Sequence, residues 1–487
     1  MIQPNYCALN SAKFLKRQSK VRVETGFPDV EEVKKPISVF AKSFITSREN
    51  SAEKTTVKAK VSFTFVYLSD DGYKKVNAEC DAFSELDADC SFVESFVTDV
   101  KLLTSNGFIG VASVVFVGCK KEENQFSVLQ NSDGVVCKSK EIDVDIYYNE
   151  KQGDQLITDE FNLDFTVGEV LSYQANAYLT SVNCGLGKII LEGETLLTVK
   201  ALPFSENNDI VKETKVIPFR YELESDDSLP DMKCFAIVNV SSTNLKIFAD
   251  ENKQKSSVSV DIKLAFSGVL VGSEKMTVVT DAYLKNFECD LKKVDIERLC
   301  FKERKRFHEK VLCQGEAALD GGRILAVLGE CVNLVSAKSD GGVVTVDGIV
   351  KADVVFKNSD NGIVNVPCER PFTFDFSENG EIFGLNLCLS GLNARVRNGE
   401  IELETHLEVS YNSFENERFT CVEEITKLGE RNRLGSAISV FVASAGDDLW
   451  DVAKRLGSDE EEILKYNGDL TFPLSGDERI ILYRQKI

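Results

Sequence analysis

Apolar and polar positions divide this chain into long alternating stretches and a short tail of helical spacing. Across 54–67, Val57, Ala59, Val61, Phe63, Phe65 and Tyr67 face one way while Lys58, Lys60, Ser62 and Thr64 face the other, which predicts a long half-buried strand. The alternation returns at Ile189, Leu191, Gly193, Thr195, Leu197 and Val199. It returns again at Val344, Val346, Gly348, Val350, Ala352, Val354 and Phe356, so that Ala59, Gly193 and Gly348 hold equivalent places. The segment ahead of each also recurs, at 43–47, 177–181 and 332–336. Further on comes a dipeptide with phenylalanine second, Ala82-Phe83, Pro218-Phe219 and Pro371-Phe372, and then a hairpin. Its turn is Asn106-Gly107 in the first copy and Asn398-Gly399 in the third, a pair suited to a type I′ turn because both residues take positive φ. The second copy has a longer polar loop at 250–254. Stretches 127–160, with Ile142, Val144, Ile146 and Tyr148 alternating, and 281–319 read as long strands joining one copy to the next. The fold class predicted is mainly β. Three tandem antiparallel sandwich- or barrel-like units at 1–130, 131–288 and 289–428 are each expected to close their own core, as beads in a row touching modestly.

The tail changes period. Leu449, Val452, Ala453 and Leu456 fall at i, i+3, i+4 and i+7, one face of a helix about two turns long. Asp448 stands at the N-cap and Gly457 stops the helix. A second helix follows, with Ser458 and Glu461 as a capping box, Ile463 and Leu464 as its buried side and Asn467-Gly468 as its end. Short strands at 440–443 and 479–483 flank the pair, and 427–436 reads as a flexible linker.

Strand, helix, helix, strand in 437–487, with Gly446-Asp447-Asp448-Leu449-Trp450 at the first helix and Tyr466-Asn467 at the end of the second, resembles the LysM module, a small α+β (βααβ) fold. The resemblance implies a groove for N-acetylglucosamine polymers between Gly446, Asp447, Asp448 and Leu449 on one side and Asn467, Gly468, Asp469 and Leu470 on the other. Ala445 and Gly468 replace frequent prolines and Asp448 a frequent threonine, so an acid stands at the groove rim. The three β units followed by this module, with a closing run Arg479-Ile480-Ile481-Leu482-Tyr483-Arg484-Gln485, resemble the SipL-type spore envelope morphogenetic proteins, which carry SPOCS-type β domains, long a domain of unknown function. That resemblance implies a scaffold in the mother-cell cytosol that fixes the basement layer of the spore coat through a coat ATPase. A second expectation from the LysM resemblance is a cell-wall protein that binds peptidoglycan, with the β units as spacers. The absence of an export signal in the sequence favours the scaffold.

Charge narrows the partners. A net charge of -21 disfavours nucleic acid and anionic membranes. The basic island Lys302, Arg304, Lys305 and Arg306 is interrupted by Glu303 and reads as a solvated strand face. The longest apolar run, 108–117, is broken by Gly110 and Ser113 and is too short to span a bilayer, so no membrane insertion is expected. Fourteen cysteines without a C-x-x-C pair read as reduced core residues.

No catalytic constellation, cofactor or metal is expected. His308 and His406 are the only histidines and read as surface or sheet-face residues. Gly185-Leu186-Gly187-Lys188 lacks the Ser or Thr of a phosphate loop and is followed by a strand, so it reads as a turn.

Overall fold

The computed structural model describes residues 4–28, 30, 32–105, 107–204, 210–249, 255–315, 322–360, 362–431 and 438–483. It is mainly β, with several antiparallel sheets and two short helices among the described residues. The first strands are β1 (Tyr6–Gly26), β2 (Lys35–Asn50), β3 (Thr55–Ser69), β4 (Gly72–Leu86), β5 (Cys90–Leu103) and β6 (Ile109–Leu129). They make two sheets, ordered β2-β3-β4 and β1-β6-β5. The next are β7 (Val135–Tyr147), β8 (Lys151–Asn162), β9 (Val167–Gly185), β10 (Lys188–Pro203), β11 (Val211–Glu224), β12 (Lys233–Phe248) and β13 (Ser257–Leu284). Again there is a meander, β11-β10-β9, beside a sheet β12-β13-β7 in which β8 also pairs with β13. Then come β14 (Phe287–Gly315), β15 (Arg323–Asp340), β16 (Val343–Lys357), β17 (Ile363–Ser377), β18 (Glu381–Arg397) and β19 (Glu400–Glu430), ordered β15-β16-β17 and β14-β19-β18.

The central strand of each meander is one of the three alternating stretches, and its inward residues are fully buried: Val57, Phe63, Leu191, Leu197, Val346 and Val354 are 0% exposed. Register places Ile45 opposite Ala59, Leu179 opposite Gly193 and Leu334 opposite Gly348. Immediately afterwards Thr46, Thr180 and Val335 each bulge out of the ladder. On the other side the small residue faces Ala82, Phe219 and Phe372. The dipeptide alignment is therefore off by one in the first copy. Ala82, not Phe83, matches the two phenylalanines, and Phe83 is 57% exposed with Lys58 over its ring.

The reason is steric. A Cβ on Gly348 would lie 2.2 Å from the Phe372 ring and one on Gly193 2.4 Å from Phe219, so a large ring demands glycine opposite, while Ala82 tolerates Ala59. Gly348→Ala is expected to cost about 1–3 kcal/mol through overpacking. Adding Phe372→Ala should make the double variant less destabilised than the sum of the singles, read by urea denaturation. Strict additivity would show that the contact does not govern the pair.

Asn398 and Gly399 have φ of 57° and 81°, as a type I′ turn requires. Gly107 also has positive φ, whereas Asn106, the loop 250–254 and half of the expected linker, 432–436, lie outside the described residues. Gly185-Leu186-Gly187-Lys188 is the β9–β10 turn. All fourteen cysteines are unpaired, and burial pushes Cys388 and Cys119 up to about 12.

The expectation of beads touching modestly is overturned. Phe92, Phe235 and Phe383, one from each strand set, have ring centroids 5.2, 6.2 and 6.3 Å apart. Phe14, Tyr147, Phe301 and Phe414 surround them in one shared core. Three pairwise seams close the ring. Between the first and second sets Arg48 meets the buried Glu150 at 2.7 Å. Between the second and third, Lys200 pairs with Glu330 and Arg304 donates to the Leu179 carbonyl at 3.0 Å. Between the third and first, Ser38 donates to Asp353 and Ser11 to the Glu297 carbonyl at 2.7 Å.

Sequence chemistry explains how these seams form. The break between β7 and β8 turns Glu150 toward the first set, where it also accepts from the Phe92 backbone at 3.3 Å. Phe92 sits on a bulge with φ 50°, a strained conformation for a phenylalanine that aims its ring into the shared core. The solvated-face reading of the basic island is corrected at Arg304, while Lys302 and Arg306 are exposed as that reading requires. Arg304 lies against the second set, its pKa lowered to about 10 by burial, and the Arg306 guanidinium sits 5.0 Å over the Tyr178 ring.

Candidate functional site

The tail folds as expected in outline: β20 (Ile438–Ala443), α1 (Leu449–Leu456), α2 (Glu460–Tyr466) and β21 (Glu478–Tyr483). Asp448 caps α1 by accepting from the Asp451 N–H at 2.7 Å, and Gly457 ends it at φ 61°. The α2 start is one residue later than the capping-box reading. Asp459 is its N-cap without a side-chain bond, and Ser458 donates instead to Glu462 at 2.7 Å. Ile463 is buried but Leu464 is 41% exposed.

Most polar groups of the expected groove are already engaged inside the protein. Asp447 accepts from the Ser444 N–H at 2.9 Å and from both ends of the Arg455 guanidinium at 2.9 and 2.7 Å, and Arg455 holds its carboxyl below the usual range. Gly446, at φ +89°, donates to the Leu474 carbonyl at 2.8 Å. Asn467 is a structural clamp: its amide donates to the Ile463 and Ile481 carbonyls and accepts from the Ile481 N–H, all at 2.8 Å, sewing α2 to β21. Leu449 and Leu470 join the Trp450 cluster, while Gly468 and Asp469 remain exposed. Asp448 does not present a free charge either, because Lys138 lies 3.4 Å away and also sits 5.8 Å over the Trp450 ring.

The α1 face docks on the end of β13. Trp450 donates its indole N–H to Asp281 at 2.7 Å and packs edge-on against Tyr283, with ring centroids 5.1 Å apart. Lys454 bonds both Asp281 oxygens at 2.7 Å. The Tyr283 hydroxyl donates to the Ser458 carbonyl at 2.6 Å, Lys285 pairs with Asp459, and Arg431 bridges the Phe287 and Arg455 carbonyls at 3.1 and 2.9 Å. Of the expected linker, 427–430 belong to β19 and Arg431 to this seam, while 432–436 lie outside the described residues. Sequence reading missed Lys138, Asp281, Tyr283 and Arg431. Asp281 and Tyr283 did lie in a stretch whose alternation was visible, but nothing local marks a strand end as a platform for a helix.

Docking leaves the opposite face of this small sheet bare. Val440 pairs with Ile481 and Ile438 with Tyr483, and these four are 61, 36, 53 and 49% exposed, with Val442 at 62% alongside. Tyr466 of α2 extends the patch, its ring 4.6 Å from that of Tyr483.

The histidines come together across β14 and β19. His308 and His406 rings stack at 5.4 Å, and Glu408 and Glu404 bond their outer nitrogens at 3.3 and 3.1 Å. No group able to hold a metal is found among the described residues, and among them no helix is long and apolar enough to cross a membrane.

Where the three strand sets meet beside the aromatic core lies a hollow of about 890 Å³. It is lined by β2 and β5, by β9 and β12, and by β15 and β18, with shorter contributions from their neighbours. Thr46, Ser47, Gln152 and Asp154 line it and are solvent-exposed, marking its mouth. No family model matches the chain, and no curated protein matches it.

Proposed function

We propose that the chain is a non-enzymatic assembly scaffold of the SipL type, with three SPOCS-type β units at 1–130, 131–288 and 289–428 forming a rigid body and a LysM module at 437–487 presenting a docking face. The observation that carries this reading is the bare sheet face of β20 and β21. Its five exposed aliphatic and aromatic residues form a contiguous apolar patch of the kind that marks protein association. The family resemblance makes the partner a spore coat ATPase at the forespore surface, met from the mother-cell cytosol. The peptidoglycan reading loses support because Asp447, Asp448 and Asn467 spend their polar groups on the fold rather than on a glycan.

The test is a pull-down of the coat ATPase with the full chain and with Val440→Lys. Val440 is exposed, so stability should move by less than about 0.5 kcal/mol, while a lysine placed in a desolvated contact should abolish capture. Retention of the ATPase by Val440→Lys, together with co-sedimentation of the wild-type chain with purified peptidoglycan, would replace the scaffold reading with wall binding.

A further inference from the structure

The hollow between the three strand sets has an unusual charge inventory. Four cationic residues line it: Lys42, Arg48, Lys263 and Lys351. Three are neutralised, Arg48 by Glu150 at 2.7 Å, Lys263 by Asp154 at 3.1 Å and Lys351 by Glu369 at 3.0 Å. The acids are committed as well. Lys200 holds Glu330, Lys101 holds Asp99 at 3.2 Å, and Ser38 donates to Asp353.

Lys42 differs from all of them. It lies half-buried on β2, on the wall of the hollow, and has no hydrogen-bond or ion-pair partner among the described residues. The groups that act on it are Glu330 and Cys331 of β15 and Lys200 of β10, and the one carboxylic residue among them, Glu330, is already taken by Lys200. An ammonium partly withdrawn from water without an acceptor is costly unless something compensates it. Burial drives its pKa down to about 7, with the Glu330 charge opposing and the Lys200 charge adding to that fall. A lysine kept at this point without a protein acceptor is accounted for if the acceptor is a ligand.

We propose that the hollow is a binding site for a small anionic molecule, and that Lys42 supplies the cation that receives its carboxylate or phosphate group. The volume suits a small organic ligand, within the roughly 300–1,000 Å³ usual for such sites. The rest of the lining fits an oriented polar guest. Asn239, Asn333 and Asn386 offer amides from the second and third sets, Ser43 and Ser95 offer hydroxyls from the first, and Val97 and Leu387 offer apolar wall. Because the site takes residues from all three sets, a bound molecule would hold the ring closed and stabilise it by mass action. This inference goes beyond the scaffold reading and does not depend on it.

The test is calorimetric titration of the full chain at pH 6.5 with two probes, sodium acetate and inorganic phosphate, which separate the two anion types. Wild type is expected to bind one of them saturably at a single site, and Lys42→Arg to retain that binding within about threefold. Lys42→Met is expected to lose it by at least tenfold while melting no lower than wild type without ligand. Equal binding by Lys42→Met, or no saturable heat with either probe, would overturn the proposal. So would a Lys42→Met chain that melts well below wild type, since that would make Lys42 a structural residue.

Discussion

Phe235→Ala is expected to destabilise all three strand sets together, by about 3–5 kcal/mol. The ring is fully buried and lies within 6.3 Å, centroid to centroid, of Phe14, Phe92, Phe301, Phe383 and Phe414, which come from the first and third sets. Its removal therefore opens a cavity whose walls belong to three sequence-distant segments rather than to β12 alone. Independent beads would confine the damage to the second set. A ring with one shared core should instead lose protection in β1, β5, β14 and β18 as well, in hydrogen exchange followed by mass spectrometry. Calorimetry should show the main β transition moved down as one peak, with no separate early shoulder. Exchange that rises only in β7 to β13 would restore the picture of independent units.

The reason that this centre was not visible in the sequence lies in what periodicity can report. Alternation told which face of β3, β10 and β16 is apolar, and those faces are buried as expected. It could not tell which neighbour covers an apolar face. Nothing local sets Phe235 or Phe383 apart from other apolar strand residues, and Phe92 is turned inward by a bulge and a positive φ that no local pattern announces. The misaligned Phe83 has a related cause: a recurring dipeptide is easy to see, but pairing register decides which of its two residues faces the core, and one step reverses the face.

The candidate groove shows the same division. Caps and helix faces were legible because their partners sit within a few residues, as Asp448 and Asp451 do. The charge at position 448 was read as free because Lys138 lies 310 residues earlier. Asn467 was read as a loop residue facing a ligand, yet its amide closes three bonds to the backbone of α2 and β21, two of which reach fourteen residues ahead.

Asp281→Ala is expected to release the C-terminal module from the β ring while the ring stays folded. The carboxylate is 15% exposed and serves three groups at once: the Trp450 indole, Lys454 and Lys293 at 3.2 Å. Removing it strands a part-buried ammonium and an indole donor, at a cost of about 2–4 kcal/mol, between the ranges for exposed and fully buried pairs. A module of this size has little stability beyond its docking contacts. Fluorescence of Trp450, the single tryptophan, should shift to the red and become accessible to iodide, while the far-ultraviolet β signal holds. Acid should mimic the substitution. Burial alone would raise the Asp281 pKa, but the hydrogen bonds from Lys454 and Trp450 bring it below the ordinary value. A depressed carboxylate contributes its stability above the unfolded pKa of about 3.9 and loses it as pH falls through the lower folded value. The tryptophan transition should thus appear below about pH 4 in wild type and be absent as a separate step in Asp281→Ala. Persistence of the blue-shifted, iodide-protected tryptophan in Asp281→Ala at neutral pH would mean that Tyr283, Lys285 and Arg431 suffice to hold the module on the end of β13.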